Sequence, residues 1–117
     1  MSSMISKLGE AGADINTTLE RFMNNEAIYE KFLKKFLTDT NFEMLEKSMD
    51  EKNYEEALKY AHTLKGVGGN LGLTDIFRIT ETMVAKFRNG TLEGIDEDFL
   101  SLKVSYGKMT GIIKEFA

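Results

Sequence analysis

The chain has a single histidine, His62, in the run Ala61-His62-Thr63-Leu64-Lys65-Gly66-Val67-Gly68-Gly69-Asn70-Leu71-Gly72. Lys65, Gly66 and Gly69 follow it by three, four and seven residues, so on a helix they share its stripe. A neutral imidazole offers one ring nitrogen as a nucleophile. Attack on a phosphoryl group would give an anionic phosphohistidine, which an ammonium one turn away stabilises as a point charge. Glycines beside it would let another protein's backbone come close. The chemistry this pattern suits is covalent phosphoryl carriage: His62 as phosphoacceptor, Lys65 as the phosphate-stabilising cation, Gly66 and Gly69 as the access for a partner. The bland alternative is an ordinary surface histidine.

Other chemistries fit less well. A ferritin-like di-metal site needs a glutamate three residues before its histidine, where this chain has Lys59. With one histidine and no cysteine, a zinc site would need several carboxylates to converge, and no spacing suggests that. A calcium loop starting at Asp39 would want glycine where Met44 stands, and one starting at Asp50 would want it at Glu55. The glycine run follows a helix rather than a strand and lacks both nucleotide-binding spacings. Ser48 and Ser105 carry no nucleophile-elbow motif. No metal or cofactor site is expected.

A helix must position His62. Tyr54, Ala57, Ala61, Leu64, Gly68 and Leu71 follow one another by three or four and form an apolar or small seam. His62 lies about 100° round from Ala61 and so leaves the seam for the outside. Each glycine costs a helix interior about 1 kcal/mol relative to alanine. Propensity alone therefore makes 66–72 a loop. The continuing seam favours a helix with a frayed last turn near Asn70 to Gly72.

The remaining chain supplies further amphipathic segments. Residues 1–13, with Gly9 and Gly12, are weakly patterned and predict a loosely ordered lead-in. Asp14 or Asn16 can cap a short helix through Phe22. Asn25 can cap one starting at Glu26, whose columns Ile28, Phe32, Phe36 and Tyr29, Leu33, Leu37 form a broad apolar face. Thr40-Asn41-Phe42-Glu43 fits a capping box, so 26–51 is one kinked helix or two. Asn53 caps the His62 helix. Thr74 caps the next, with seam Leu73, Ile76, Thr80, Met83 and Phe87, ending at Asn89-Gly90. After a loop to Ile95, Asp96 caps the last helix, with seam Phe99, Leu102, Tyr106, Met109, Ile113 and Phe116. Gly107 and Gly111 lie off that seam. The fold class predicted is all-α: an antiparallel four-helix bundle over 14–117 with a short N-terminal helix.

Composition agrees with a single domain. The 117 residues are 42% hydrophobic, enough for a core. A net charge of −4 argues against nucleic acid as the main partner. No apolar run approaches the ~20 residues of a membrane span, and the N-terminus has no apolar signal region. Absent cysteine suits a reducing cytosol, so a cytoplasmic location is expected. A membrane-surface helix at 26–37 is a weaker alternative, since bundle core explains its apolar face more simply.

Ala61-His62-Thr63-Leu64-Lys65-Gly66 with Asn70-Leu71-Gly72 resembles the signature of histidine-containing phosphotransfer (HPt) domains. Asn53-Tyr54-Glu55-Glu56-Ala57 and the Tyr29 to Phe36 segment are also similar to that family, and the likeness covers roughly 14–110. The resemblance implies a four-helix bundle that accepts a phosphoryl group from a receiver-domain aspartyl-phosphate and passes it to another receiver. It carries the phosphoacceptor to His62, the phosphate-side lysine to Lys65 and the close-approach glycine to Gly66. Small residues near Gly69 agree with it. The expected partners are response-regulator receiver domains, including one in a hybrid histidine kinase, with Mg²⁺ held by the receiver alone. No ATP-binding or kinase motif is present, so the expectation is a monomeric phosphoryl carrier. The alternative is a helical interaction module that docks a receiver or other partner without taking phosphate.

Overall fold

Runs of apolar residues at three- and four-residue spacing become helices wherever a cap starts them and a glycine or turn stops them. The computed structural model describes residues 1–117 as seven helices with no strand: α1 (Ser3–Glu10), α2 (Ile15–Arg21), α3 (Glu26–Phe36), α4 (Asn41–Asp50), α5 (Tyr54–Asn70), α6 (Thr74–Asn89) and α7 (Ile95–Glu115). They form a helical bundle. α5, which carries His62, packs between α4 and α6, and α6 packs against α7. α3 and α1 also lie on α7, and α1 touches α2.

Leu45, Ala57, Ala61, Leu64, Ile76, Met83, Leu102 and Met109 are fully buried along these contacts. A layer of rings closes the α3–α4–α7 side. Tyr106 stacks on Phe42 at 4.2 Å between centroids, Phe42 on Phe99 at 5.5 Å, and Phe36 meets Tyr106 edge-on at 5.5 Å.

Several expected caps hold. The Asp14, Asn25 and Asn53 side chains accept from the amides of Thr17, Ile28 and Glu56 and start α2, α3 and α5. Gly90, at φ 69°, ends α6 in the left-handed conformation.

Others differ. The capping box at Thr40 does not form. Asp39 Oδ1 takes the Asn41 amide at 2.8 Å and the Asn41 side-chain Nδ2 at 2.9 Å instead, so α3 and α4 are two helices. Thr74 is the first residue of α6 rather than its cap. Buried Leu73 precedes it, and the Thr74 hydroxyl only reaches back to the Gly72 carbonyl at 3.4 Å. Asp96 is not the cap of α7 either. Gly94, at φ 76°, turns the chain so that Ile95 starts the helix buried. Asp96, Glu97 and Asp98 then fill the first turn, where they complement the macrodipole. Asp98 pairs with Lys86 at 2.6 Å.

Two larger expectations are corrected. Residues 1–13 are not a loose lead-in. Met4, Ile5 and Leu8, spaced to lie on one face, are fully buried in α1, capped by Ser2. The Ser2 amide donates to Glu26 at 2.8 Å, and Lys7 pairs with Glu115 at 2.8 Å. The apolar face of α3 is also narrower than the two columns suggested. Tyr29, Leu33 and Phe36 are buried, but Ile28 and Phe32 are 39% and 43% exposed. The bundle covers only one edge of that face.

Candidate functional site

The alternation predicted for the His62 helix is present. Ala57, Ala61, Leu64, Gly68 and Leu71 are buried, and His62 is exposed on the opposite side. α5 runs without a break through Gly66, Gly68 and Gly69 to Asn70. Nothing in the chain hydrogen-bonds the His62 imidazole. The hydroxyl of neighbouring Thr63 is turned back to the Lys59 carbonyl at 3.1 Å.

Two lysines flank His62 on its stripe, one turn to either side. Lys59 is taken by Glu56 at 3.0 Å, and that hydrogen bond raises the lysine's pKa. Lys65 belongs to none of the chain's four ion pairs. It is the ammonium left available to an anion on the imidazole.

The glycines divide into two groups. A side chain at Gly66 would meet nothing within 4 Å, so the surface one turn from His62 is open. Gly69 shares the stripe but not the openness expected of it. A Cβ there would stand 3.1 Å from the Phe77 ring of α6, and one at Gly68 would stand 3.1 Å from Ile76 Cγ2. Gly68 and Gly69 let α5 and α6 approach closely, so Gly69 has a packing role beside the partner access expected of it. Of the three glycines in α5, only Gly66 faces open space.

Glycine in a helix needs support from outside it, and the far end of α5 has that support. The last carbonyls of a helix lack partners within it. Here Arg21 Nη2, from the end of α2, donates to the Gly69 and Asn70 carbonyls at 2.9 and 3.1 Å. The buried Tyr29 hydroxyl donates to the Leu71 carbonyl at 2.7 Å. The Asp14 amide donates to the Gly72 carbonyl at 2.8 Å. The Gly72 and Leu73 amides also fold back on the Gly69 and Gly68 carbonyls at 3.3 and 2.9 Å, so the expected frayed turn is held both locally and from outside. Burial pushes the Tyr29 phenol up to about 12, against the opposing pull of the Arg21 charge.

Arg21, Tyr29 and Asp14 were missed as site residues because their partners are 42 to 58 positions away and no local pattern joins them. The only hint in the sequence is a glycine-rich segment that keeps a helical seam.

Beside this end of α5 an open groove of about 510 Å³ runs between Arg21, Phe22, Phe32, Lys35, Val67 and Asn70. Val67 and Asn70 follow Thr63 and Gly66 by one turn, so the groove continues the side of the helix that carries the open glycine. Nowhere do three or more His, Asp or Glu side chains gather as a metal site would need. No helix is long and apolar enough to cross a membrane.

The family model of the Hpt domain matches residues 30–107, two thirds of the chain. No curated protein and no solved structure matches. The match starts within α3, takes in α4, α5 and α6 whole and runs well into α7, leaving only α1 and α2 wholly outside. With an exposed, unengaged histidine at the middle of the matched span, the chain belongs to the Hpt domain family, the histidine-containing phosphotransfer modules of phosphorelays.

Proposed function

We propose that His62 is the phosphoacceptor, taking a phosphoryl group from the aspartyl-phosphate of one response-regulator receiver domain and passing it to another. A ring nitrogen attacks phosphorus. The P–N bond forms as the acyl-phosphate P–O bond breaks, and the receiver's aspartate leaves as carboxylate. The reverse step, on a second receiver, regenerates the imidazole. Lys65 stabilises the charge on the phosphohistidine, and Gly66 keeps the adjacent surface flat for the docking receiver. The Mg²⁺ of the reaction belongs to the receiver. One of the receivers can be that of a hybrid histidine kinase. The chain acts as a monomeric carrier in the cytoplasm.

One observation carries this reading. In a chain of the Hpt family, the only histidine is solvent-facing, engaged by no other group, and next to a glycine with open space beyond it. The test is a panel of receivers phosphorylated with labelled phosphate, each incubated with the wild-type chain and with His62→Gln. Label should pass to the wild type and not to the variant, with the variant's melting temperature unchanged because the imidazole is exposed. Label on His62→Gln would overturn the assignment. Binding of a receiver with no label on the wild type would make the chain a docking module instead.

A further inference from the structure

α2 lies wholly outside the span that the family model matches, yet Arg21 at its end reaches the last turn of the His62 helix. Three glycines fall within the last five residues of α5, and each favours the unfolded chain. Backbone amides of Leu71, Leu73 and Gly72 donate to the Val67, Gly68 and Gly69 carbonyls at 3.1, 2.9 and 3.3 Å, which leaves the Asn70 carbonyl without a backbone donor. One guanidinium supplies the donor that Asn70 lacks and a second one for Gly69. Arg21 Nη2 bridges the Gly69 and Asn70 carbonyls at 2.9 and 3.1 Å, and it is steadied by Thr18 Oγ1 at 3.4 Å. The Thr18 hydroxyl is itself anchored on the Asp14 carbonyl, whose residue also binds Gly72 through its amide. A cation at a helix C-terminus is also favoured by the macrodipole.

We infer that Arg21 is a positioning residue for phosphotransfer: it keeps the glycine-rich half of α5 helical, so that the flat surface at Gly66 is already formed when a partner docks beside His62. This rests on the reading of His62 as phosphoacceptor. Gly66 lies one turn before the clamped carbonyls, and its own amide belongs to the same run of helical hydrogen bonds. Without the clamp the Asn70 carbonyl loses its donor, and the end of the run, held then by the Gly72 and Leu73 amides and the Tyr29 hydroxyl, opens more often. A partner would then have to order the segment as it binds, which weakens docking and leaves the chemical step intact.

The experiment compares wild type, Arg21→Met and Arg21→Lys in two independent measurements. Methionine keeps much of the side chain's apolar stem and removes its donors. Lysine restores a cation that can reach the carbonyls. Backbone amide hydrogen exchange, which needs no phosphate, should rise about tenfold in Arg21→Met over residues 66–70 and stay near wild type over residues 54–61. The half-saturating receiver concentration should rise by a similar factor of about ten, with the rate at saturation little changed. Arg21→Lys should recover part of both. A role confined to global stability predicts the opposite split, with exchange raised throughout the chain and the saturating rate lowered by the folded fraction.

Unchanged exchange at residues 66–70, or raised exchange with an unchanged half-saturating concentration, overturns the inference. So does an Arg21→Lys protein as defective as Arg21→Met. Failure of His62 as acceptor would show separately, as label retained by His62→Gln, and would not move the exchange result.

Discussion

Lys59 and Lys65 stand one turn to either side of His62, but only one of them is free to meet a phosphate. Because Lys65 is only half-buried, its attraction for a phosphoryl group on His62, as proposed, would be screened to on the order of 1 kcal/mol, or about fivefold in rate. Lys65→Ala should slow transfer by that factor and leave the thermal melt unchanged. A large fall in melting temperature would make Lys65 structural. The glycines should separate in the same assay. Gly66→Ala fills open space in a helix and should stabilise by about 1 kcal/mol. Gly69→Ala should gain less, because its methyl presses on Phe77. Gly66→Gln should fold normally and transfer poorly. Gly72→Ala should be costly, since Gly72 sits at φ 73° and a Cβ would strike Thr18 Oγ1 and the Asp14 carbonyl. The loss expected is above about 2 kcal/mol by urea titration. Tyr29→Phe adds a pH test. The folded chain keeps this phenol neutral up to about 12, whereas the unfolded chain ionises near 10. That contribution is complete below pH ~10 and is lost as pH rises toward ~12, by up to roughly 2 kcal/mol. Near neutral pH Tyr29→Phe should be less stable by about 1–2 kcal/mol for the lost hydrogen bond. The gap to wild type should narrow above pH ~10. A gap that stays constant would mean the phenol is solvated in the folded state.

Elements were legible in the sequence where their signals were local. The seam of α5 could be counted from Tyr54 to Leu71, and three Asp or Asn caps lay where side-chain chemistry put them. The misreadings came where a distant partner decided the outcome. Thr40 lost its capping role to Asp39, which sits one residue nearer the turn. The two apolar columns of α3 are plain in the sequence, but no local pattern shows that the bundle buries only one edge of them. Residues 1–13, with Gly9 and Gly12, are too weakly patterned to announce α1. Its apolar residues gain their burial from α7, about a hundred residues further on, and no local pattern could show that. Leu8→Ala should therefore cost about 2–5 kcal/mol, as for a well-packed core leucine, and lower the melting temperature. Transfer per folded molecule should be preserved. A Leu8→Ala protein that melts like wild type would return residues 1–13 to the status of a loose tail.

At the scale of the whole molecule, most packing joins helices that are neighbours in sequence: α4 with α5, α5 with α6, α6 with α7. Such local topology folds fast, on the order of milliseconds or less. The chain has no proline, so no slow cis–trans isomerisation should delay it. Refolding from urea in a stopped-flow instrument should show one fast phase, and a second phase lasting many seconds would contradict this. The exception to locality is the contact of α1 with α7, where Lys7 pairs with Glu115 and lies over the Phe116 ring at 5.6 Å from its centroid. The first helix thus meets the end of the last, and the helices are strung closer to a ring than to a line. A short linker from Ala117 to Met1, with the backbone opened in the loop between α6 and α7, should give a circular permutant that folds and still presents His62. The order in which the helices are strung would then matter less than the fact that the ring closes at α1 and α7, leaving the outer face of α5 unobstructed.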